Sequence, residues 1–307
     1  MILVALAIVA STLVGAFAER RYGEGAQRFT RRLIDVMVWV ILPFIVFFVV
    51  ARLHLGGGVG IGLLLGYLEL AIVGVLAAQI GTRVLKLPRP SVGTLILTVI
   101  LANTGYLGTP LAGALLGHDA LAPAIAWDTV ISQVMLYTAG FAVGAAYGTD
   151  AGESPRERAR AFLTKNPVIW ALILGLIVPD ALAPEAIVRV ARFGAAYAVL
   201  PLGFFMLGVN MMAEREEGSF GFPPPLSPAV GVSLALRLAV APSLLALFSA
   251  LTVSVPDAYL LQAGMSSGIN ALIVGHLYGL DLRLAAATIA WSTTLVVVLA
   301  LILSPII

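Results

Sequence analysis

The segment Asn103-Thr104-Gly105-Tyr106-Leu107-Gly108-Thr109-Pro110 sets small polar groups, two glycines and a proline inside a long apolar run. Gly264-Met265-Ser266-Ser267-Gly268-Ile269-Asn270 does the same in the second half of the chain. A helix that unwinds at such residues exposes backbone N–H groups on one side of the gap and carbonyls on the other. The N–H ends carry positive partial charge and suit an anion, while the carbonyls suit a cation. Asn103, Thr104, Gly105, Gly108, Pro110, Ser266, Ser267, Gly268 and Asn270 are therefore candidate substrate-binding positions.

Ionisable residues inside apolar runs are costly and mark functional sites by default. Asp128, Thr129, Ser132 and Gln133 share one neighbourhood at helical spacing, so with Asn103 and Thr104 they offer hard oxygen ligands for Na⁺. Asp128 alternatively carries a proton, and Glu69 is a second carboxylate for the same task. Arg237 is the one basic residue placed deep in an apolar run. Its guanidinium suits bidentate recognition of a substrate carboxylate, and equally suits neutralising Glu69 or Asp128.

The enzymatic readings are weaker. Gly264-Met265-Ser266-Ser267-Gly268 matches the G-x-S-x-G pattern of serine hydrolases, with His276 ten residues beyond Ser266. That pattern needs a strand–turn–helix, and here it interrupts an apolar helix. Nucleotide-binding glycine motifs and zinc spacings are absent from the sequence. The chain has no cysteine, which excludes disulfides, iron–sulfur clusters and thiolate metal sites. The expectation is no enzyme, no metal and no cofactor beyond a coupling ion, Na⁺ or H⁺.

These groups need a frame, and composition says which. Of 307 residues, 60% are hydrophobic and 11% charged, against roughly 25% charged in a soluble domain. Mean hydropathy is +1.03. Lipid is the solvent such a surface requires. A net charge of +2 is too small and too scattered for a nucleic-acid partner. Runs near the ~20 residues that span a bilayer cover 1–18, 33–51, 59–82, 91–116, 121–147, 167–183, 187–212, 228–252, 257–278 and 282–307. The first lacks a basic leader and a cleavage site, so it reads as a retained helix. The predicted class is an all-α polytopic membrane protein of ten spans.

Fourteen of the 18 basic residues fall in the connections after spans 1, 3, 5, 7 and 9. Arg52, Arg189 and Arg192 lie on the opposite side. The positive-inside rule makes the fourteen cytoplasmic and both termini extracytoplasmic. Residues 148–166 read as a solvated cytoplasmic linker, and Phe220–Pro228, with four prolines, as a stiff connector.

The halves resemble one another. Leu42-Pro43-Phe44-Ile45-Val46-Phe47-Phe48 is echoed by Leu200-Pro201-Leu202-Gly203-Phe204-Phe205-Met206, 158 residues on. Ile125-Ala126-Trp127-Asp128-Thr129 is echoed by Ile289-Ala290-Trp291-Ser292-Thr293 at an offset of 164, and Gly117-His118-Asp119 by Gly279-Leu280-Asp281 at 162. Units of five spans, 1–147 and 167–307, must run in opposite senses through the bilayer. Inverted repeats of this kind are common among secondary transporters, whose sites lie at matched helix breaks near the midplane. Spans 4 and 9 are the matched pair here.

The Asn103–Pro110 motif resembles that of the auxin efflux carrier family of membrane transporters. Asn166-Pro167, Met206-Leu207-Gly208 and Ser267-Gly268-Ile269-Asn270-Ala271 add to the likeness, which runs along essentially the whole chain with a short central loop like that of bacterial members. The resemblance implies ten helices, a scaffold domain beside a core domain, spans 4 and 9 crossing at the substrate site, and a homodimer. It also implies distant kinship with sodium/bile-acid symporters, and small carboxylates such as malonate or malate as cargo. Ser266 stands where the family often has a proline. The expected function is secondary transport of a small organic mono- or dicarboxylate across a bacterial inner membrane by alternating access. A cation or proton exchanger without organic substrate, or a membrane ligand sensor, is the alternative.

Overall fold

The computed structural model describes residues 2–51, 60–150, 152, 154–197, 199–216 and 223–303. Arg52 and residues 220–222 of the proline-rich connector lie outside them. Among the described residues every regular element is a helix. Four helices among the described residues are long and apolar enough to cross a membrane: α3 (Gly60–Val84), α6 (Leu121–Tyr147), α11 (Pro228–Leu251) and α14 (Leu282–Leu303). At 1.5 Å per residue they measure roughly 33–40 Å, more than the ~30 Å hydrocarbon core. The others are α1 (Ile2–Tyr22), α2 (24–51), α4 (Arg89–Ile100), α5 (104–115), α7 (Pro155–Thr164), α8 (Pro167–Ile177), α9 (Glu185–Tyr197), α10 (Val199–Glu216), α12 (Asp257–Ala263) and α13 (Asn270–Tyr278).

Two sets of helices pack. In the first, α1 lies along α10, and α2 receives α8 and α9. In the second, α3, α4, α6, α11, α12, α13 and α14 surround the interrupted segments. Outward faces remain apolar: Leu6, Val9, Leu13 and Phe17 on α1, and Leu295, Val298, Leu299 and Ile302 on α14, are exposed. Their three- and four-residue spacing makes continuous stripes, which lipid rather than water covers.

The α1–α10 seam rests on two glycines. A Cβ at Gly208 would fall on the Thr12 carbonyl oxygen, and one at Gly15 on that of Phe205. Both obstacles are backbone and cannot swing aside. Gly208→Ala should therefore cost about 1–3 kcal/mol through overpacking, read as a lower melting temperature of purified protein.

Proline shapes several helices. Pro43, Pro110 and Pro242 each lie two residues beyond a π-helical turn, at Met37–Ile41, Thr104–Gly108 and Leu236–Val240. A proline lacks the N–H and crowds the carbonyl four residues back, so the preceding turn opens to the wider i→i+5 spacing. One such turn carries Arg237, another Thr104 and Gly105.

Several boundaries differ from expectation. The helix expected over 33–51 begins at Glu24, because Ala26, Thr30 and Ile34 form a buried stripe beneath a charged face. The helix expected to end at 183 stops at Ile177, just before Pro179. The linker 148–166 is more than a solvated connector. Ser154 and Glu157 form a reciprocal capping box that starts α7, and α7 packs on the end of α6. Lys165 Nζ donates to the carbonyls of Asp150 (2.9 Å) and Leu277 (3.4 Å), tying the linker to the end of α13.

Candidate functional site

The helix expected over 91–116 ends at Ile100, is interrupted over residues 101–103, and resumes as α5. The helix expected over 257–278 stops at Ala263 and resumes at Asn270, without a proline at the break. The two interruptions meet. Ala102 and Ser267 form an isolated antiparallel bridge, closed by Asn103 N–H to the Ser266 carbonyl (2.7 Å) and Gly268 N–H to the Leu101 carbonyl (2.6 Å). Each gap thereby satisfies backbone groups that the other would leave bare. Gly268 is required for the approach, since a Cβ there would lie 3.0 Å from the Ala102 carbonyl oxygen.

Serine hydroxyls reinforce the junction. Ser267 Oγ donates to the Thr98 carbonyl (2.7 Å), and Ser267 N–H donates to Ser292 Oγ (3.1 Å) on α14. Thr293 Oγ1 donates to Ser266 Oγ at 3.4 Å. On the other side of the junction, Thr104 Oγ1 donates to Asp128 Oδ1 (2.6 Å), and Gln133 Nε2 approaches Oδ2 at 3.5 Å. The Asp128 carboxylate lies over Gly105, where a Cβ would sit 3.1 Å from both oxygens.

Asn103, Thr104, Gly105, Asp128, Ser132, Gln133, Gly268 and Asn270 line one shared cavity. Its volume, about 20 Å³, is room for about one water molecule. The N-termini of α5 and α13 both open at it. Asn103 is 4% exposed, and its Nδ2 has no hydrogen-bond partner. A buried amide donor, two helix N-termini and one carboxylate therefore converge on a small space. Such a set can hold an anion and a cation side by side.

The remaining candidates sit elsewhere. Thr129 Oγ1 turns back to the Ile125 carbonyl (2.8 Å). Ser266 is fully buried in the junction, and Gly108 and Pro110 do not line the cavity. Gly108 faces Gln262, whose Oε1 occupies the place a Cβ would take. Gln262 is a buried residue that sequence reasoning missed. It donates to the Ala124 carbonyl (3.0 Å) and to Thr109 Oγ1 (3.4 Å), joining α12 to α6 and α5. The signal was available, since a lone amide in an apolar run stands out as Glu69 does.

Arg237 is also outside the cavity. Its Nη1 donates to the Val99 carbonyl (2.7 Å) and its Nη2 to the Ala263 carbonyl. The guanidinium thus caps the C-terminal ends of α4 and α12 together, where their dipoles are negative. The carbonyl side of the gaps, expected to suit a bound cation, is occupied by the protein's own cation. Glu69, on α3, is fully buried, and neither carboxylate oxygen has a hydrogen-bond partner.

A model of the family described as "Membrane transport protein" matches residues 2–304. The chain belongs to that family. An uncharacterised transporter of Methanocaldococcus jannaschii is 26% identical over 320 residues, spanning 95% of this chain and 94% of the relative. The resemblance drawn from Asn103–Pro110 thus extends along nearly the whole protein, a membrane transporter of the auxin efflux carrier family. A transporter family gives the Gly264–Gly268 pattern its meaning as a helix break rather than a nucleophile elbow. The matched glycines after spans 4 and 9 agree with one another in conformation: Gly117 and Gly279 have φ of +90° and +70°, a region that side chains avoid.

Proposed function

We propose that the protein is a secondary transporter of a small organic anion, a mono- or dicarboxylate, working by alternating access. The observation that carries this reading is the junction of the two interrupted helices, with Asn103, whose buried Nδ2 has no partner, and two helix N-termini lining one cavity. Residues 1–147 and 167–307 act as inverted five-span units, joined by the cytoplasmic linker 148–166. The bridged residues Ala102 and Ser267 are 165 apart, close to the 158–164 offsets between the sequence echoes, as a pseudo-twofold axis through the junction requires. The junction then lies at mid-bilayer, in a bacterial inner membrane, with both termini extracytoplasmic, and the protein pairs as a homodimer.

In this account the carboxylate of the substrate accepts from Asn103 and from the N–H ends of α5 and α13. Asp128 handles the coupling ion, Na⁺ or H⁺, with Thr104, Ser132 and Gln133 around it. Ser267 and Gly268 hold the geometry. A cavity of about 20 Å³ is too small for a dicarboxylate, so loading requires the helix set around the junction to move against the set containing α1, α2 and α10. Purified protein in proteoliposomes should accumulate labelled malonate or malate when a sodium or proton gradient is imposed, and the cargo should raise its melting temperature by mass action. No uptake of either acid, nor of other small carboxylates, would refute the reading.

The cavity's size also favours a second reading, a cation or proton exchanger acting through Asp128 alone. Sodium–proton flux in the absence of any carboxylate decides for it. Asp128→Asn keeps the shape and an acceptor for Thr104 but removes the charge. In this variant malonate uptake should cease to respond to either gradient, and an unchanged response would remove Asp128 from the coupling step.

A further inference from the structure

Glu69 and Arg237 are both buried, on helices that pack together, and the cavity uses neither. Residues 62, 66 and 69 follow one face of α3 at helical spacing. Above Glu69, Gly66 receives the Trp127 ring, whose Cη2 would lie 2.6 Å from a Cβ, and Gly62 receives Tyr259 at 3.0 Å. Trp127 and Tyr259 pack with ring centroids 5.1 Å apart and planes tilted by 51°. Beyond Tyr259 opens a cavity of about 560 Å³, lined by Gly60, Gly62, Pro123, Val255 and Pro256. An aromatic pair therefore separates a wide vestibule from the Glu69 carboxyl.

Charged and titratable side chains on the helices packed against α3 are few. They are Arg237 on α11, Asp128, Tyr137 and Tyr147 on α6, Asp257 and Tyr259 on α12, and Arg89 at the start of α4, with Tyr67 and Arg83 on α3 itself. Of these, Arg237 is the charge that acts on Glu69. Yet both Nη atoms of Arg237 are turned to the Val99 and Ala263 carbonyls, and its Nε–H, like both Glu69 oxygens, has no partner. An ionised carboxylate without a hydrogen bond in a dry site is strongly disfavoured. The arrangement is that of a neutral acid beside a guanidinium engaged elsewhere.

We propose that Glu69 is a proton-binding site that operates Arg237 as a latch on the two helix interruptions. With the proton on Glu69, Arg237 caps α4 and α12 and holds the junction closed. When water from the vestibule passes the aromatic pair and takes the carboxyl's proton, the new negative charge draws the guanidinium's free Nε–H and one Nη from the carbonyls. One proton leaves, one carboxylate forms, and Arg237 stays protonated throughout. This rests on the transporter reading for its purpose, since a loosened junction is what cargo loading needs, but proton binding itself is independent of cargo.

Acid-minus-alkaline infrared difference spectra of the purified protein test the site. A protonated-carboxyl band should appear in the wild type and in Asp128→Asn and be lost in Glu69→Gln. A band unchanged in Glu69→Gln, or none in the wild type, overturns the proposal. Hydrogen exchange, corrected for intrinsic rates, tests the latch. Peptides covering 97–104 and 260–268 should lose protection on alkalinisation in the wild type and not in Glu69→Gln, whose melting temperature reports that it folds. An equal loss in both proteins contradicts the latch. Failure of malonate uptake with the band intact would instead count against the cargo assigned above.

Discussion

Asn103→Ala is expected to abolish uptake while leaving a folded protein in the membrane. The Asn103 side-chain amide is buried and its Nδ2 bonds to nothing in the protein, so its removal breaks no internal bond. The backbone bond from Asn103 N–H to Ser266 survives the change. What is lost is a donor held ready for the substrate. A charged acceptor left without it costs about 1–3 kcal/mol, roughly ten- to a hundredfold in affinity, with a further loss if the donor also orders the closed state. Malonate uptake by proteoliposomes, set beside thermal unfolding of the same sample, separates the two effects. Undiminished flux would remove the junction from the substrate path.

Arg237→Met should be the most destabilising single change in the protein. It would uncap α4 and α12 at once, stranding the Val99 and Ala263 carbonyls. Each buried carbonyl left unsatisfied costs about 1–3 kcal/mol. With Glu69 protonated the loss should be the same in the Glu69→Gln background, and a coupling between the two sites should emerge only at alkaline pH, where the carboxylate forms. Thermal unfolding of the two single variants and the double variant gives the coupling directly. An unchanged melting temperature in Arg237→Met would show that the guanidinium does not hold the junction.

Much of this architecture was legible in the residues. Asn103–Pro110 and Gly264–Asn270 advertised their breaks through glycine, serine and proline in apolar runs, and both breaks occur there. The break at 264–269 forms without proline because Ser266 and Ser267 exchange hydrogen bonds with α14 and with the other gap. Tertiary partners supply what the missing proline would have. Asp128 was legible as a charge in an apolar helix, and its partner Thr104 as part of the motif.

Arg237 was visible as a buried cation but not its task, because sequence carries no information on which carbonyls end beside it. The same holds for Gln262, whose partners lie 138 and 153 residues away. The early start of α2 was hidden by its arginines. They lie on the outer face of an amphipathic helix, while hydropathy averages both faces. Among the described residues, length and apolarity by themselves mark four helices able to span a membrane. The remaining six spans of the proposed fold are short, interrupted or polar at an end, and depend on neighbours.

The central claim is that the two gaps touch at Ala102 and Ser267. The native chain has no cysteine, so a pair introduced as Ala102→Cys and Ser267→Cys reports on that contact alone. Residues facing each other between the two bridging hydrogen bonds have Cα atoms about 4.5 Å apart, within disulfide range. Mild oxidation in the membrane should join them within one chain, stopping malonate uptake until a reductant restores it. Two thiols that stay free under oxidant, in a protein that still transports, would contradict the account.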